Sequence, residues 1–98
     1  MPQVSKGPLE PVIEFGETTN LTATGDVTTA NAKLIGFYVN STTGGTLILK
    51  KGGSGGTALC GTITPAVGFH RFPANCMGGI HATIANTLNV TFFYGEEK

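Results

Sequence analysis

The sequence predicts a single all-β domain, an antiparallel β-sandwich of the jelly-roll type with about seven strands. Three observations support this fold class. Glycine and threonine each occur 15 times in 98 residues, and glycine breaks helices while threonine favours strands. Short runs of alternating apolar and polar residues recur, with turn residues between them about every eight to twelve residues. Only 12% of the residues are charged, so few Lys or Glu side chains are available for the strand faces.

Residues 1–17 differ from the rest of the chain and predict an extended N-terminal arm, followed by the β-sandwich domain at residues 18–98. Closely spaced prolines prevent a helix and favour an extended path. The prolines are Pro2, Pro8 and Pro11, and the apolar residues that follow are Val12, Ile13 and Phe15. Two interpretations are open: a frayed terminus, or an arm that lies on a neighbouring subunit and buries these apolar side chains.

The first half of the domain predicts three strands, at residues 21–28, 32–40 and 46–50. Side chains alternate along the second of these strands. Its inward face is predicted to carry Ile35, Phe37 and Val39, and its outward face Leu34 and Tyr38. Residues 41–45 are rich in Ser, Thr and Gly and predict a turn that completes a hairpin.

The second half follows a glycine-rich loop and predicts four more strands, at residues 57–64, 67–72, 80–85 and 88–94. Pro65 and Pro73 are expected to end the strands that precede them. Asn86-Thr87 predicts a tight turn between the last two strands. The remaining inward candidates are Leu47 or Ile48, Ile63, Ile84, Val90 and Phe92.

The predicted outward faces carry Thr, Asn and Gly in place of Lys and Glu. Sheets of monomeric proteins usually protect their edges and faces with charge. We therefore expect other subunits to cover much of this surface, which predicts a homo-oligomer.

Charge and hydropathy exclude several partners. Six basic and six acidic residues give no net charge, and a nucleic-acid-binding module usually shows clustered Lys and Arg. No apolar run approaches the roughly 20 residues that span a bilayer. The N-terminus lacks the basic and apolar regions of a secretory signal, so we expect synthesis in a cytoplasm.

Catalytic chemistry has few candidate residues in this chain. Asp26 is the only acid between residues 18 and 94, so no pair of carboxylates is available there. A Ser-His-Asp set would have to combine Ser41 or Ser54 with a histidine and Asp26, without a nucleophile-elbow motif. The glycine-rich residues 50–56 lack the order of a phosphate-binding loop. We expect no enzyme activity and no cofactor.

Four side chains could bind zinc by type, but their spacing does not match known ligand patterns, so no metal is predicted. They are Cys60, His70, Cys76 and His81. A disulfide between Cys60 and Cys76 would close a loop of about 17 residues and contribute roughly 3 kcal/mol. A cytoplasm keeps thiols reduced, so a disulfide and two free thiols both stay open. His70 and Arg71, between two phenylalanines, form either a contact patch or an ordinary alternating strand.

Three segments resemble small β-rich virion proteins of tailed bacteriophages, among them capsid decoration (cement) proteins and head fibres. They are GFYVNST at 36–42 with GTL at 45–47, CGTITPAVGFHRFPA at 60–74, and GIHATI at 79–84 with VTF at 90–92. The resemblance covers residues 30–94 and rests on turns and strand ends. The pattern departs at Ala85-Asn86, where a glycine pair is expected before the last strand.

The resemblance implies a structural protein that binds the outer surface of a phage capsid, with the major capsid protein as its partner. It implies a homo-oligomer, with a trimer favoured and a dimer open, located on the virion and made in the bacterial cytoplasm. Neither nucleic acid nor membrane is an expected partner. The alternatives are a glycan- or receptor-binding module of a fibre or tail, and a head–tail connector component. The contact candidates are Val12, Ile13, Phe15, His70 and Arg71.

Overall fold

The computed structural model describes residues 16–96, and every regular element within them is a β-strand. The all-β prediction is confirmed, with six strands where about seven were expected. They are β1 (Glu17–Leu21), β2 (Gly25–Thr28), β3 (Ala32–Lys51), β4 (Thr57–Ala58), β5 (Gly68–Cys76) and β6 (Ile80–Glu96). This part of the chain has no helix that is long and apolar enough to cross a membrane.

The strands form one antiparallel sheet around two long central strands. β3 and β6 pair along nearly their whole lengths, from Ala32 opposite Glu96 to Lys51 opposite Ile80. On the other side of β6, β1 pairs with its C-terminal part and β2 with its N-terminal part. On the other side of β3, β5 pairs with its N-terminal part and β4 with its C-terminal part. The sheet therefore has a β1–β5 half and a β2–β4 half, which share the two long strands.

The sheet bends between these halves. The chain advances from Leu21 to Gly25, while its partner on β6 moves from Val90 to Ala82. Because a few residues bridge a much longer stretch of β6, the long strands must curve at this point. Register shifts in the β3–β6 pairing interrupt the ladder in the same region, as bulges do where strands bend.

The bend brings the inner faces of both halves onto one core. Leu34, Phe37 and Phe92 from one half belong to the same buried cluster as Leu47 and Ile80 from the other. Hydrogen bonds also join the halves. The carbonyl oxygen of Val27 in β2 accepts from Thr19 Oγ1 in β1 at 3.2 Å and from Tyr94 Oη in β6 at 3.5 Å.

The two predicted turns inside the long strands are wrong. Residues 41–45 continue β3, and Asn86 with Thr87 continues β6. These residues form bulges instead, because Thr43 and Gly44 both face Thr87 across the ladder. Gly44 has a φ of 62° and Asn86 a φ of 61°, the left-handed region that Gly and Asn tolerate best. Turn-type residues here bend a strand without ending it.

Two predicted strand boundaries also differ from the structure. Pro73 lies inside β5, in an edge strand at a register shift, where a missing N–H breaks no regular ladder. The strand predicted at 57–64 is reduced to Thr57–Ala58 and one isolated bridge between Leu47 and Ile63.

Candidate contact face

The outward side of the β1–β5 half, called the outer face below, is shaped by a bulge in β3. The register shifts between Leu34 and Gly36 against both neighbouring strands. As a result Leu34 and Phe37 are both buried, while Ile35 is 40% exposed and Tyr38 42% exposed. The predicted inward position of Ile35 and outward position of Leu34 are therefore wrong, because the extra residue reverses the alternation.

An apolar patch occupies part of the outer face. Its residues are Ile35, Tyr38, Phe69 and Phe93. The rings of Phe69 and Phe93 meet edge to face with centroids 5.8 Å apart, and Phe69 is 52% exposed. Gly36 lies beneath them, because a Cβ atom at this position would come within 2.8 Å of Cζ of Phe69. The absence of a side chain at Gly36 leaves room for the Phe69 ring at this point of the sheet.

A polar cluster, called the Asn–Thr cluster, adjoins this patch. Its residues are Asn20, Asn40, Asn89 and Thr91, from three neighbouring strands. Nδ2 of Asn20 donates to Oδ1 of Asn89 at 2.8 Å and to Thr91 Oγ1 at 3.0 Å. Nδ2 of Asn40 donates to the same two oxygens, at 3.2 and 3.0 Å. Tyr38 pairs with Thr91 across β3 and β6, so the cluster lies directly beside the patch.

The charges on the outer face are cationic. Lys33 and Arg71 are exposed there. The carboxylates of residues 16–96 are engaged elsewhere. Oε1 of Glu17 accepts from the Glu96 backbone N–H at 3.2 Å, and Oε2 of Glu96 accepts from Thr28 Oγ1 at 2.5 Å. Asp26, the remaining one, lies in the β2–β4 half beside His81.

The predicted contact residues fall in different places. Val12, Ile13 and Phe15 lie outside the described residues. Arg71 is exposed on the outer face, two residues from Phe69 on the same strand. His70 points the other way, because its ring stacks on Phe37 with centroids 5.2 Å apart. Its Nε2 atom is 2.7 Å from the carbonyl oxygen of Ala66, so the ring is engaged within the chain.

The cysteines are free thiols in the structure. Sγ of Cys60 accepts from the Leu49 backbone N–H at 3.5 Å, and Cys76 is buried. Burial raises the pKa of the Cys76 thiol, against smaller lowering effects of a backbone hydrogen bond at Leu34 and the charge of Lys51. The disulfide and the two free thiols stay the two alternatives that the sequence left open. Among residues 16–96 no three His, Cys, Asp or Glu side chains lie together as a metal site would require.

Asp26, considered above for a catalytic set, and His81, considered above as a zinc ligand, lie together in the structure. Their side chains meet at 2.8 Å between Oδ1 and Nδ1. The imidazole is buried, and it joins β2 to β6 in the half of the sheet that lacks the apolar patch.

Neither a protein-family model nor a curated protein nor a solved structure matches this chain.

The Asn–Thr cluster was not predicted as a group, although the sequence carries a signal for it. Asn20, Asn40 and Asn89 each begin an Asn-x-Thr triplet. In a strand, residues i and i+2 share one face, so Asn89 and Thr91 must lie side by side. The register that brings the other two asparagines to them depends on long-range pairing, which the triplets alone do not specify.

Proposed function

We propose that this chain is a structural virion protein that binds the outer surface of a tailed-phage capsid and stabilises it as a homo-oligomer. Its partner is the major capsid protein, and a trimer is favoured over a dimer. The observation that carries the proposal is the outer face, where exposed aromatic and aliphatic side chains lie beside neutral amides. The sequence resemblance supplies the identity of the partner.

The composition of the outer face suits contact with protein. Interface centres are depleted in Lys and Glu and enriched in Tyr, Phe and Arg. Tyr38, Phe69 and Arg71 are exposed on this face, and among the described residues it carries no carboxylate. Contiguous exposed apolar side chains of this kind mark interaction sites on soluble proteins.

The finer architecture belongs to the same proposal: a β-sandwich of jelly-roll type, in which the β1–β5 half and the β2–β4 half are the two layers. The shared core and the hydrogen bonds from Thr19 and Tyr94 to Val27 support it. In such a sandwich one layer presents the outer face, and the second layer packs against its inner side.

Labelling of intact virions with antibodies against the chain tests the location. We expect label over the head, in a copy number close to that of the major capsid protein. Label confined to the tail would overturn the proposal.

A binding experiment tests the outer face directly. Heads that lack the protein are incubated with the purified chain, and bound protein and the temperature of DNA release are measured. We expect wild-type protein and the loop control Ser54→Glu to bind and to raise the release temperature. We expect Asn20→Glu together with Asn40→Glu, both exposed in the Asn–Thr cluster, to bind at least tenfold more weakly, since each change places an acid in the contact. Equal binding by all three proteins would contradict the assignment of the face.

One observation favours a second candidate, a glycan-binding module of a fibre or tail. Tyr38 offers an exposed ring. Beside it, Asn20 and Asn40 use their Nδ2 atoms for the hydrogen bonds of the cluster, so the Oδ1 atom of each can accept a hydrogen bond from a ligand. Aromatic rings with adjacent amides suit neutral sugars. Titration of the ¹⁵N-labelled chain with host surface polysaccharide distinguishes the candidates. Shifts confined to Tyr38 and its neighbours, together with label on the tail, would favour this function over the first.

A further inference from the structure

From the geometry of the outer face we infer that residues 12–15 of a second copy of this chain cover the apolar patch. This deepens the proposed function, because it names the contact between subunits. It is tested without a capsid, so it can fail while the capsid proposal stands.

The patch exposes large apolar side chains that a partner would bury. Ile35, Tyr38 and Phe69 expose between 40% and 52% of their surface. Tyr38 pairs with Phe69 across β3 and β5, Phe69 lies over Gly36 and against Phe93, and Ile35 directly precedes Gly36 in β3. Side chains of this size side by side in water are unusual for a chain that stays a monomer. The neighbouring Asn–Thr cluster is polar and hydrogen-bonded within itself, so it does not need apolar burial and can contact a polar partner.

The described part of the chain begins at the margin of this patch. Gly16 is the first described residue, and a Cβ atom on it would lie 3.5 Å from Cδ1 of Ile35. Followed backwards, β1 runs from Asn20 opposite Thr91 to Glu17 opposite Tyr94. This direction leads towards the end of β6 and away from the row of Tyr38 and Phe69. β1 therefore brings the chain to the edge of its own patch without crossing it, and in this inference the patch of a second copy is the acceptor.

The chemistry of the arm complements the face. Residues 12–15 are Val, Ile, Glu and Phe, and Glu10 precedes them. The apolar residues match the patch, and the acids match the exposed cation Arg71. At about 3.3 Å per residue, four extended residues span roughly 13 Å, while neighbouring strands lie about 4.8 Å apart. This length reaches across β6, β3 and β5, which carry the patch.

The test measures self-association of the full chain by sedimentation equilibrium. One variant changes the arm (Ile13→Glu with Phe15→Glu), and one changes the face (Phe69→Glu). The controls are Val4→Glu in the arm and Val67→Glu, an exposed apolar residue in the loop before β5. We expect both test variants to associate at least tenfold more weakly than wild type, and both controls to associate normally. Urea unfolding checks that each variant is folded, and Tyr38→Glu replaces Phe69→Glu if that variant does not fold.

Mixing the arm variant with the face variant identifies which segment binds the apolar patch. The arm variant keeps an intact face and the face variant an intact arm, so the mixture is expected to form a heterodimer that neither variant forms alone. A monomeric wild-type chain, or an oligomer that survives both variants, would overturn the inference. Absence of the heterodimer would also overturn it, since an arm bound to its own chain gives no complementation. A wild-type monomer that still binds heads would contradict this inference and leave the capsid proposal standing. An oligomer that does not bind heads would support the contact between subunits and contradict the capsid proposal.

Discussion

The Nδ1 atom of His81 lies 2.8 Å from Oδ1 of Asp26, and this contact joins two strands of very unequal length. β2 has four residues and pairs with β6 only at Gly25, Asp26 and Thr28. The His81 side chain is 7% exposed and that of Asp26 48% exposed, so the carboxylate connects a buried ring to solvent. The short edge strand is therefore held in part by one side-chain hydrogen bond.

We expect Asp26→Ala to lower the free energy of unfolding by about 1–3 kcal/mol, because it leaves a buried ring nitrogen without its partner. Asp26→Asn retains an amide oxygen that can accept the same hydrogen bond and should cost less. Urea unfolding at neutral pH measures both. Identical midpoints for wild type and Asp26→Ala would show that the contact contributes nothing to stability.

The bulge in β3 gives a second prediction. A Cβ atom on Gly36 would come within 2.5 Å of the His70 carbonyl oxygen and 2.8 Å of Cζ of Phe69. Because backbone cannot move aside cheaply, we expect Gly36→Ala to cost about 1–3 kcal/mol, as overpacking does. Gly61→Ala is the matched control, since no atom lies within 4 Å of its Cβ position. Urea midpoints that fall equally in both variants would contradict this explanation.

The same bulge shows where sequence reasoning reaches its limit. The alternation of apolar residues correctly assigned Val90 and Phe92 to the core, because no extra residue interrupts that stretch of β6. The same alternation misplaced Ile35, because a pattern that repeats every two residues does not show at which residue a bulge shifts it. For the same reason the outer face could not be predicted. Tyr38 was expected to point outward, but its neighbours on the face depend on a register set by distant strands.

The predicted turns failed for a related reason. Residues that tolerate a left-handed conformation occur both in tight turns and in bulges, and local sequence does not distinguish the two. Gly44 faces Thr87, the residue after Asn86, and Nδ2 of Asn86 donates to the Gly44 carbonyl oxygen at 2.9 Å. Only the pairing of β3 with β6 over their full lengths makes a bend, and not a reversal, the stable arrangement.

The conformation of Asn86 leads to a third prediction. Its φ of 61° is costly for a residue with a Cβ atom, and the side-chain hydrogen bond to Gly44 compensates. We expect Asn86→Ala to lower the free energy of unfolding by about 1–2 kcal/mol, since it keeps the unfavourable φ and removes the hydrogen bond. Asn86→Gly should be less harmful, because glycine adopts this φ freely. If thermal unfolding ranked Asn86→Gly below Asn86→Ala, the positive φ would not be the cause.

The buried thiol of Cys76 gives a prediction about pH. Burial raises the pKa of this thiol above its ordinary value of 9.0, so the folded protein holds the proton more tightly than the unfolded chain does. The resulting stability is fully present below pH 9.0 and is lost as the pH rises through the folded-state pKa. We expect the free energy of unfolding of the wild type to fall on the alkaline side of this value.

Comparison of variants isolates this contribution from other groups that titrate at high pH. Cys76→Ala should be less stable at neutral pH, because it leaves a small cavity, but it should show a shallower alkaline loss. Cys60→Ala should keep the slope of the wild type. A thiol-specific chromogenic reagent provides a second readout, in which half-buried Cys60 reacts well before Cys76 in the folded chain. Fewer than two reactive thiols after unfolding without a reductant would reveal the disulfide, and the slope would then be absent in the wild type as well.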